Sequence, residues 1–351
     1  MSWRAAALLL GAVLACSEPD APAQARAYRI GFAATPPRLD IQSVLATIEM
    51  WMPRADGALL SLTVPWRSLL ADTSARVLVR RDQLELVQLY RGRGLEVVAM
   101  IDATDGLARD REAPELVELG RSIREAEVQQ AYREYVMAVD SILRPSDLAL
   151  AMETNLVRLA APGEIYDALR AMVNATAQAL GGSAARARLS VTVQVDVAWG
   201  RLQGKTQFVG IADDLADFPF ARGLGLSSYP FLAGFTEPEQ VPLNYYSRLG
   251  EDHDLPMMIL EGGWTSSSVA NITSSPEKQA RWIARQWQLA DVAGLAGVYQ
   301  ITFTDLDLTS FPVPPGSILP LFAHLGLVDT ELSPKPALAA WDRAFQRSLI
   351  R

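Results

Sequence analysis

MMILEGGW, Met257 to Trp264, runs four apolar residues into a single carboxylate, Glu261, and then into two glycines and a tryptophan. An unbroken apolar run of this length reads as a strand covered on both faces, as in a parallel sheet. Its C-terminal end then presents an acid to a cavity. LALAMETN, Leu148 to Asn155, repeats the design and ends on Glu153. Two glutamates at the ends of two buried strands suggest a sugar-cleaving pair, in which one carboxyl donates a proton and the other attacks or activates water.

Six further strand-like runs surround these two: Tyr28–Ala34, Ala58–Val64, Glu96–Ile101, Leu189–Val197, Gly223–Ser228 and Gly297–Phe303. Helical patterns lie between them. Val128, Ala131, Tyr132, Tyr135 and Val139 share one helix face, as do Ile283, Trp287 and Ala290. Ser275-Pro276-Glu277 is a helix start with a capping serine and a first-turn proline, and Pro162-Gly163-Glu164 opens another. Trp282 and Trp287 are expected in the core between helix and sheet. This alternation over residues 28–351 predicts a single α/β domain, a (β/α)8 TIM barrel. An open doubly wound sheet is the alternative. It calls for a glycine-rich phosphate loop after the first strand, where Ala34-Thr35-Pro36-Pro37 stands instead. Residues 308–320, rich in proline and serine, read as a long loop after the eighth strand.

In such a barrel the site lies at the C-terminal strand ends. Those ends carry Thr35, Pro65, Trp66, Asp102, Asp105, Glu153, Asn155, Asp196, Trp199, Ser228, Tyr229, Phe231, Glu261, Trp264, Thr304, Asp305 and Asp307. The set is acidic and aromatic, suited to sugar rings and hydroxyls and poor in the cations that phosphate needs. Trp66, Trp199, Tyr229 and Trp264 are candidate stacking faces for substrate; Asn155, Ser228 and Asp305 are candidate polar contacts. The net charge of -8 and the lack of a basic run argue against a nucleic-acid partner. The two histidines, His253 and His324, form no zinc-like cluster, and no Gly-x-Ser-x-Gly elbow or complete dinucleotide fingerprint occurs. No metal or other cofactor is expected.

The order of elements resembles the clan A glycoside hydrolases, most closely family 53, the endo-β-1,4-galactanases. GLGLSSYPFL (Gly223–Leu232) is similar to that family's sixth-strand Gly-Leu-Ser-Tyr-Tyr-Pro pattern. MILEGGW is similar to its seventh-strand motif, Glu-Thr-Gly followed by an aromatic, and GLVDTELSPKPALAAW (Gly326–Trp341) resembles the closing segment. The resemblance implies a retaining hydrolase of a β-linked, galactan-like polysaccharide, with Glu261 as nucleophile and Glu153 as acid/base. Strands four and seven of such a barrel face each other across its axis, so their glutamates can approach to about 5–5.5 Å. The chain departs from the clan at Met152, where an asparagine normally precedes the acid/base. Strand alternation puts Asn155 on the side of Glu153, where it is expected to substitute. A non-catalytic glycan-binding lipoprotein on the same fold is the alternative, as is a structural lipoprotein whose barrel is a relic.

The first residues carry an address. Arg4 precedes the short apolar segment Ala5–Leu14, and Val13-Leu14-Ala15-Cys16 resembles a bacterial lipobox. Residues 1–15 then read as a lipoprotein signal peptide, Cys16 as the lipidated residue and 16–27 as a tether. Ser17, following the cysteine, implies the outer membrane, with the barrel facing the periplasm or the surface. A plain signal peptide with a chance cysteine is the rival reading. The expected chain is a monomer held to the membrane by its lipid anchor only.

Overall fold

The computed structural model describes residues 25–205 and 207–350. The expected signal peptide and Cys16 lie outside the described residues, as does most of the expected tether. The fold takes in the tether's end: Arg26 is buried, its guanidinium pairs with Asp56 at 2.6 Å, and its backbone bridges to Leu349 near the C-terminus.

Nine parallel strands make one sheet: β1 (Arg29–Ala33), β2 (Gly57–Thr63), β3 (Glu96–Asp102), β4 (Asp147–Ala149), β5 (Arg188–Ser190), β6 (Thr192–Gln194), β7 (Leu224–Ser228), β8 (Met257–Gly262) and β9 (Gly297–Gln300). Their order is β5-β4-β3-β2-β1-β9-β8-β7-β6. β5 and β6 flank Val191 and are two halves of one stave. The first half pairs with β4 and the second with β7, which closes the sheet into the expected eight-staved barrel. The fifth run is therefore not one strand to Val197. It breaks at Val191, and Val195–Ala198 is a short helix whose first amide groups are capped by the Gln194 side chain.

Two apolar cores result. The larger lies between strands and helices. The helix Ala126–Ala138 contributes Val128, Tyr132, Tyr135 and Val136 to it, with Ala131 buried on the same helix, and Pro276–Ala293, capped by Ser275, contributes Trp282, Ile283 and Trp287. The smaller fills the barrel with Leu59, Val98, Met100, Met258, Leu260 and Tyr299. Tyr299 lies over glycines of its own stave and of the next two, β1 and β2, which leave its ring room. A Cβ on Gly57 would stand 2.7 Å from its hydroxyl, and one on Gly31 or Gly297 would stand 2.9 Å from its ring. Among the described residues, no helix is long and apolar enough to cross a membrane.

Candidate active site

β8 delivers Glu261 as the sequence predicts. All six of its residues are buried. Leu226 pairs with Ile259, but the next residue, Ser227, pairs with Glu261, so Leu260 is an extra residue in the ladder. Such a bulge re-aims a side chain next to a site. Here Leu260 packs inside the barrel while Glu261 lines a cavity above it. Tyr229, just past β7, donates its hydroxyl to Glu261 Oε1 at 3.0 Å. Oε2 is buried with no hydrogen-bond partner among the described residues. Burial, and after it the neighbouring charge of Glu153, push the Glu261 carboxyl up to about 8.

Glu153 is reached differently. β4 ends at Ala149, and the chain bends through Met152 into the helix Thr154–Ala160. Glu153 sits at that corner with φ 46° and ψ 45°, a left-handed conformation unfavourable for a residue with a Cβ. The corner is tied to β6. The Glu153 amide donates to Thr192 Oγ1 at 2.7 Å and Thr154 Oγ1 to the Thr192 carbonyl at 3.3 Å. Asn155 completes the tie. Its side-chain NH2 donates to the Gln194 carbonyl at 2.9 Å, and its oxygen accepts from the Gln194 amide at 2.8 Å. This corrects the expectation for Asn155. The chain leaves extended geometry before it, so strand alternation no longer applies. Its amide is spent on the backbone that holds Glu153 in place.

The residue that sequence reasoning missed is Arg109, on the loop after β3. It is 6% exposed and donates through Nε to Glu153 Oε2 at 2.9 Å. Its Nη1 reaches both carboxylate oxygens of Asp102 at 2.7 and 2.9 Å. Ser227 Oγ donates to the other Glu153 oxygen at 2.6 Å. Glu153 is thus an acceptor at both oxygens, held by a guanidinium and a hydroxyl. Burial works against the charge on Arg109, but Asp102, Glu153 and Glu261 around it overcome that and raise its pKa. Arg109 stands in a stretch of mixed charge, LARDRE, which alone reads as a solvated loop. Its only signal is a cation close after a strand-end aspartate.

The cavity over this cluster has a volume of about 310 Å³. Its polar lining includes Glu261, Asp102, Arg109, Tyr229, Thr35, Ser61 and Thr302. Met152, Ile301, Leu306, Leu319, Phe322 and Leu325 supply apolar walls. Phe322 packs edge-on against Tyr229 with ring centroids 5.0 Å apart. A second cavity, about 650 Å³, includes Trp264 and Leu321 in its lining, so the turn Leu319–Phe322 contributes to both.

Of the expected substrate contacts, only Tyr229 borders the first cavity. Trp66 is fully buried and stacks on Tyr132 behind the barrel wall. Trp199 stacks on Tyr245 and donates its Nε1–H to the Tyr245 carbonyl at 2.9 Å. Trp264 is wedged between Phe231 and Trp282. Ser228 shares a buried hydrogen bond with Tyr246. Asp305 anchors the barrel-top loops through Lys335 at 2.6 Å, the Gly326 amide and His324. The apolar faces of these tryptophans satisfy the core, which is where large aromatic surface contributes most. Among the described residues, no group of three or more His, Cys, Asp or Glu side chains is arranged to hold a metal ion.

Comparison with known proteins places this barrel. No protein-family model matches the chain, and no curated protein does. Solved structures do. An exo-β-1,4-mannosidase from Opitutaceae bacterium strain TAV5 superposes with a TM-score of 0.67 at 14% identity, over 92% of this chain and 60% of that one. A family 39 glycoside hydrolase from Bacteroides cellulosilyticus WH2 gives 0.60 at 16% identity, over 92% and 64%. A GH5_18 protein from Streptomyces cattleya, in complex with GlcNAc, gives 0.61 at 18% identity, over 92% and 81%. The chain thus spans about 60% of the mannosidase and 64% of the family 39 protein. At these identities the likeness is one of fold. The chain has a TIM-barrel fold, as these three proteins do.

Proposed function

We propose that the protein is a retaining glycoside hydrolase acting on a β-linked sugar, with Glu153 and Glu261 as the catalytic pair. The observation that carries this reading is the convergence of two buried carboxyl groups from β4 and β8 on one cluster, with Tyr229 donating to Glu261 at 3.0 Å. The strain at Glu153 supports it, since such backbone persists where the surroundings enforce it and concentrates at working sites. The fold shared with glycoside hydrolases agrees. By the family resemblance, Glu261 attacks the anomeric carbon and Glu153 protonates the leaving oxygen. The galactan-like substrate rests on the β7 and β8 motifs.

One observation favours a second reading in which these roles are exchanged. Both Glu153 oxygens accept, from Arg109 and Ser227, while Glu261 is the group pushed toward its protonated form. A resting site of this kind offers Glu261 as the acid and leaves attack to Glu153, whose two oxygens Arg109 and Ser227 hold in place.

Azide on activated aryl β-glycosides separates the two readings. With Glu261 as nucleophile, azide restores the turnover of Glu153→Ala and yields the β-azide. With exchanged roles, azide instead rescues Glu261→Ala with retention, and Glu153→Ala yields the α-azide. If the parent cleaves no β-glycoside, the hydrolase reading is wrong and glycan binding without cleavage replaces it.

The address is a separate part of the proposal. Lipidation at Cys16 in the sequence VLAC would hold the barrel on the outer membrane. Cys16→Ser is expected to move the protein from the membrane to the soluble fraction. Fractionation of this variant with membranes, as for the parent, would remove the anchor from the account.

A further inference from the structure

The geometry points to a small glycoside with an apolar aglycone, rather than a polysaccharide chain, as the occupant of the 310 Å³ cavity. This rests on the glycosidase reading of the same site and deepens it, putting a small glycoside in place of the galactan-like polysaccharide that the β7 and β8 motifs suggest. Three observations carry it. The volume stands at the small end of ligand pockets, which run from roughly 300 to 1,000 Å³. None of the tryptophans expected to stack on sugar rings lines this cavity: Trp66 and Trp264 are each at most 1% exposed, and Trp199 stacks on Tyr245. The lining itself is divided by chemistry. Glu261, Asp102 and Arg109 offer acceptors and donors for a hydroxylated ring, whereas Leu306, Leu319, Phe322 and Leu325 offer none.

Met152 strengthens the case. It lines this cavity directly before Glu153 in the chain, so an apolar side chain stands beside the acids. A second sugar unit against these walls would bury hydroxyl groups without partners, which is costly. An alkyl or aryl group loses nothing there and gains from every CH2 removed from water.

The test measures binding and cleavage separately. Methyl and hexyl 1-thio-β-glycosides of glucose, galactose and mannose resist hydrolysis and report binding by calorimetry. The matching O-glycosides and β-1,4-linked tetrasaccharides report turnover. For at least one sugar, the hexyl thioglycoside is expected to bind tenfold or more tightly than the methyl one. Leu319→Asp, on the half-buried rim turn, is expected to remove most of that difference by weakening the hexyl form far more than the methyl one. Equal binding of the hexyl and methyl forms, no binding of any hexyl form, or faster cleavage of a tetrasaccharide than of its hexyl glycoside overturns the inference. Tight hexyl binding with no cleavage of any O-glycoside leaves the inference standing and removes the hydrolase reading instead.

Discussion

Glu261→Gln is expected to lower turnover of any β-glycoside by about a thousandfold or more, and at the same time to make the protein more stable in mild alkali. The first effect follows from either assignment of roles. An amide can neither attack the anomeric carbon nor donate a proton as a carboxylic acid does, so one of the two displacement steps loses its agent. The second effect follows from burial. Glu261 is surrounded by protein, and its carboxyl is pushed up to about 8. The folded protein then keeps a proton that the unfolded chain releases near its ordinary value of about 4.5. Stability from this group is fully present below that value. It falls as pH rises, and it is lost once pH passes about 8.

The amide stays neutral throughout and fills the same space. The urea midpoint of the parent should therefore decline between pH 5 and 8.5 more steeply than that of Glu261→Gln. The difference should amount to on the order of 3–5 kcal/mol at the alkaline end. Parallel pH profiles for the two proteins would show that Glu261 is solvated in the folded state. A variant that retained a tenth of parental turnover would remove Glu261 from the chemistry.

The second large effect is expected at Arg109. Arg109→Met should destabilise the protein by about 3–5 kcal/mol, the usual cost of removing one partner from a buried ion pair. The guanidinium spans Asp102 on one side and Glu153 on the other, and all three residues are less than 10% exposed. Methionine matches the length of the stem but leaves two buried carboxylates facing each other without a cation. Arg109→Lys should recover only part of the loss, because a single ammonium lacks the fork that serves both carboxylates at once.

A double-mutant cycle with Asp102→Asn apportions the loss. Once Asp102 is neutral, removing Arg109 should cost measurably less than in the parent. Urea denaturation at pH 7 gives each corner of the cycle. A cost below about 1 kcal/mol for Arg109→Met would place the cluster in the range of solvated ion pairs.

These two residues differ in how far the chain alone announces them. Glu261 is legible because a carboxylate after four apolar residues, followed by Gly-Gly-Trp, has few structural uses other than facing a cavity. The same physics makes the barrel legible. Strands covered on both faces must be apolar without alternation, and the helices between them carry one apolar stripe, so periodicity reports the architecture directly. The cap at Ser275 and the buried Trp282 and Trp287 follow from equally local rules.

Side-chain direction at the strand exits was decided only in three dimensions. Regular alternation ends where the chain bends or bulges, and both candidate glutamates stand at such places: Glu153 at a left-handed corner and Glu261 beside the extra residue Leu260. Asn155 turns to β6 for that reason. Trp66 and Trp264 turn inward because neighbouring aromatic rings bury them. Arg109 pairs with Glu153 across 44 residues of chain as well as with Asp102 seven residues before it, a combination that leaves no periodic trace. Local sequence determined the barrel and the strand ends that carry the acids. Long-range packing decided which polar groups meet those acids and which aromatics withdraw from the cavity. The reason is that apolar periodicity is a property of one element, whereas a buried charge takes its partners from several.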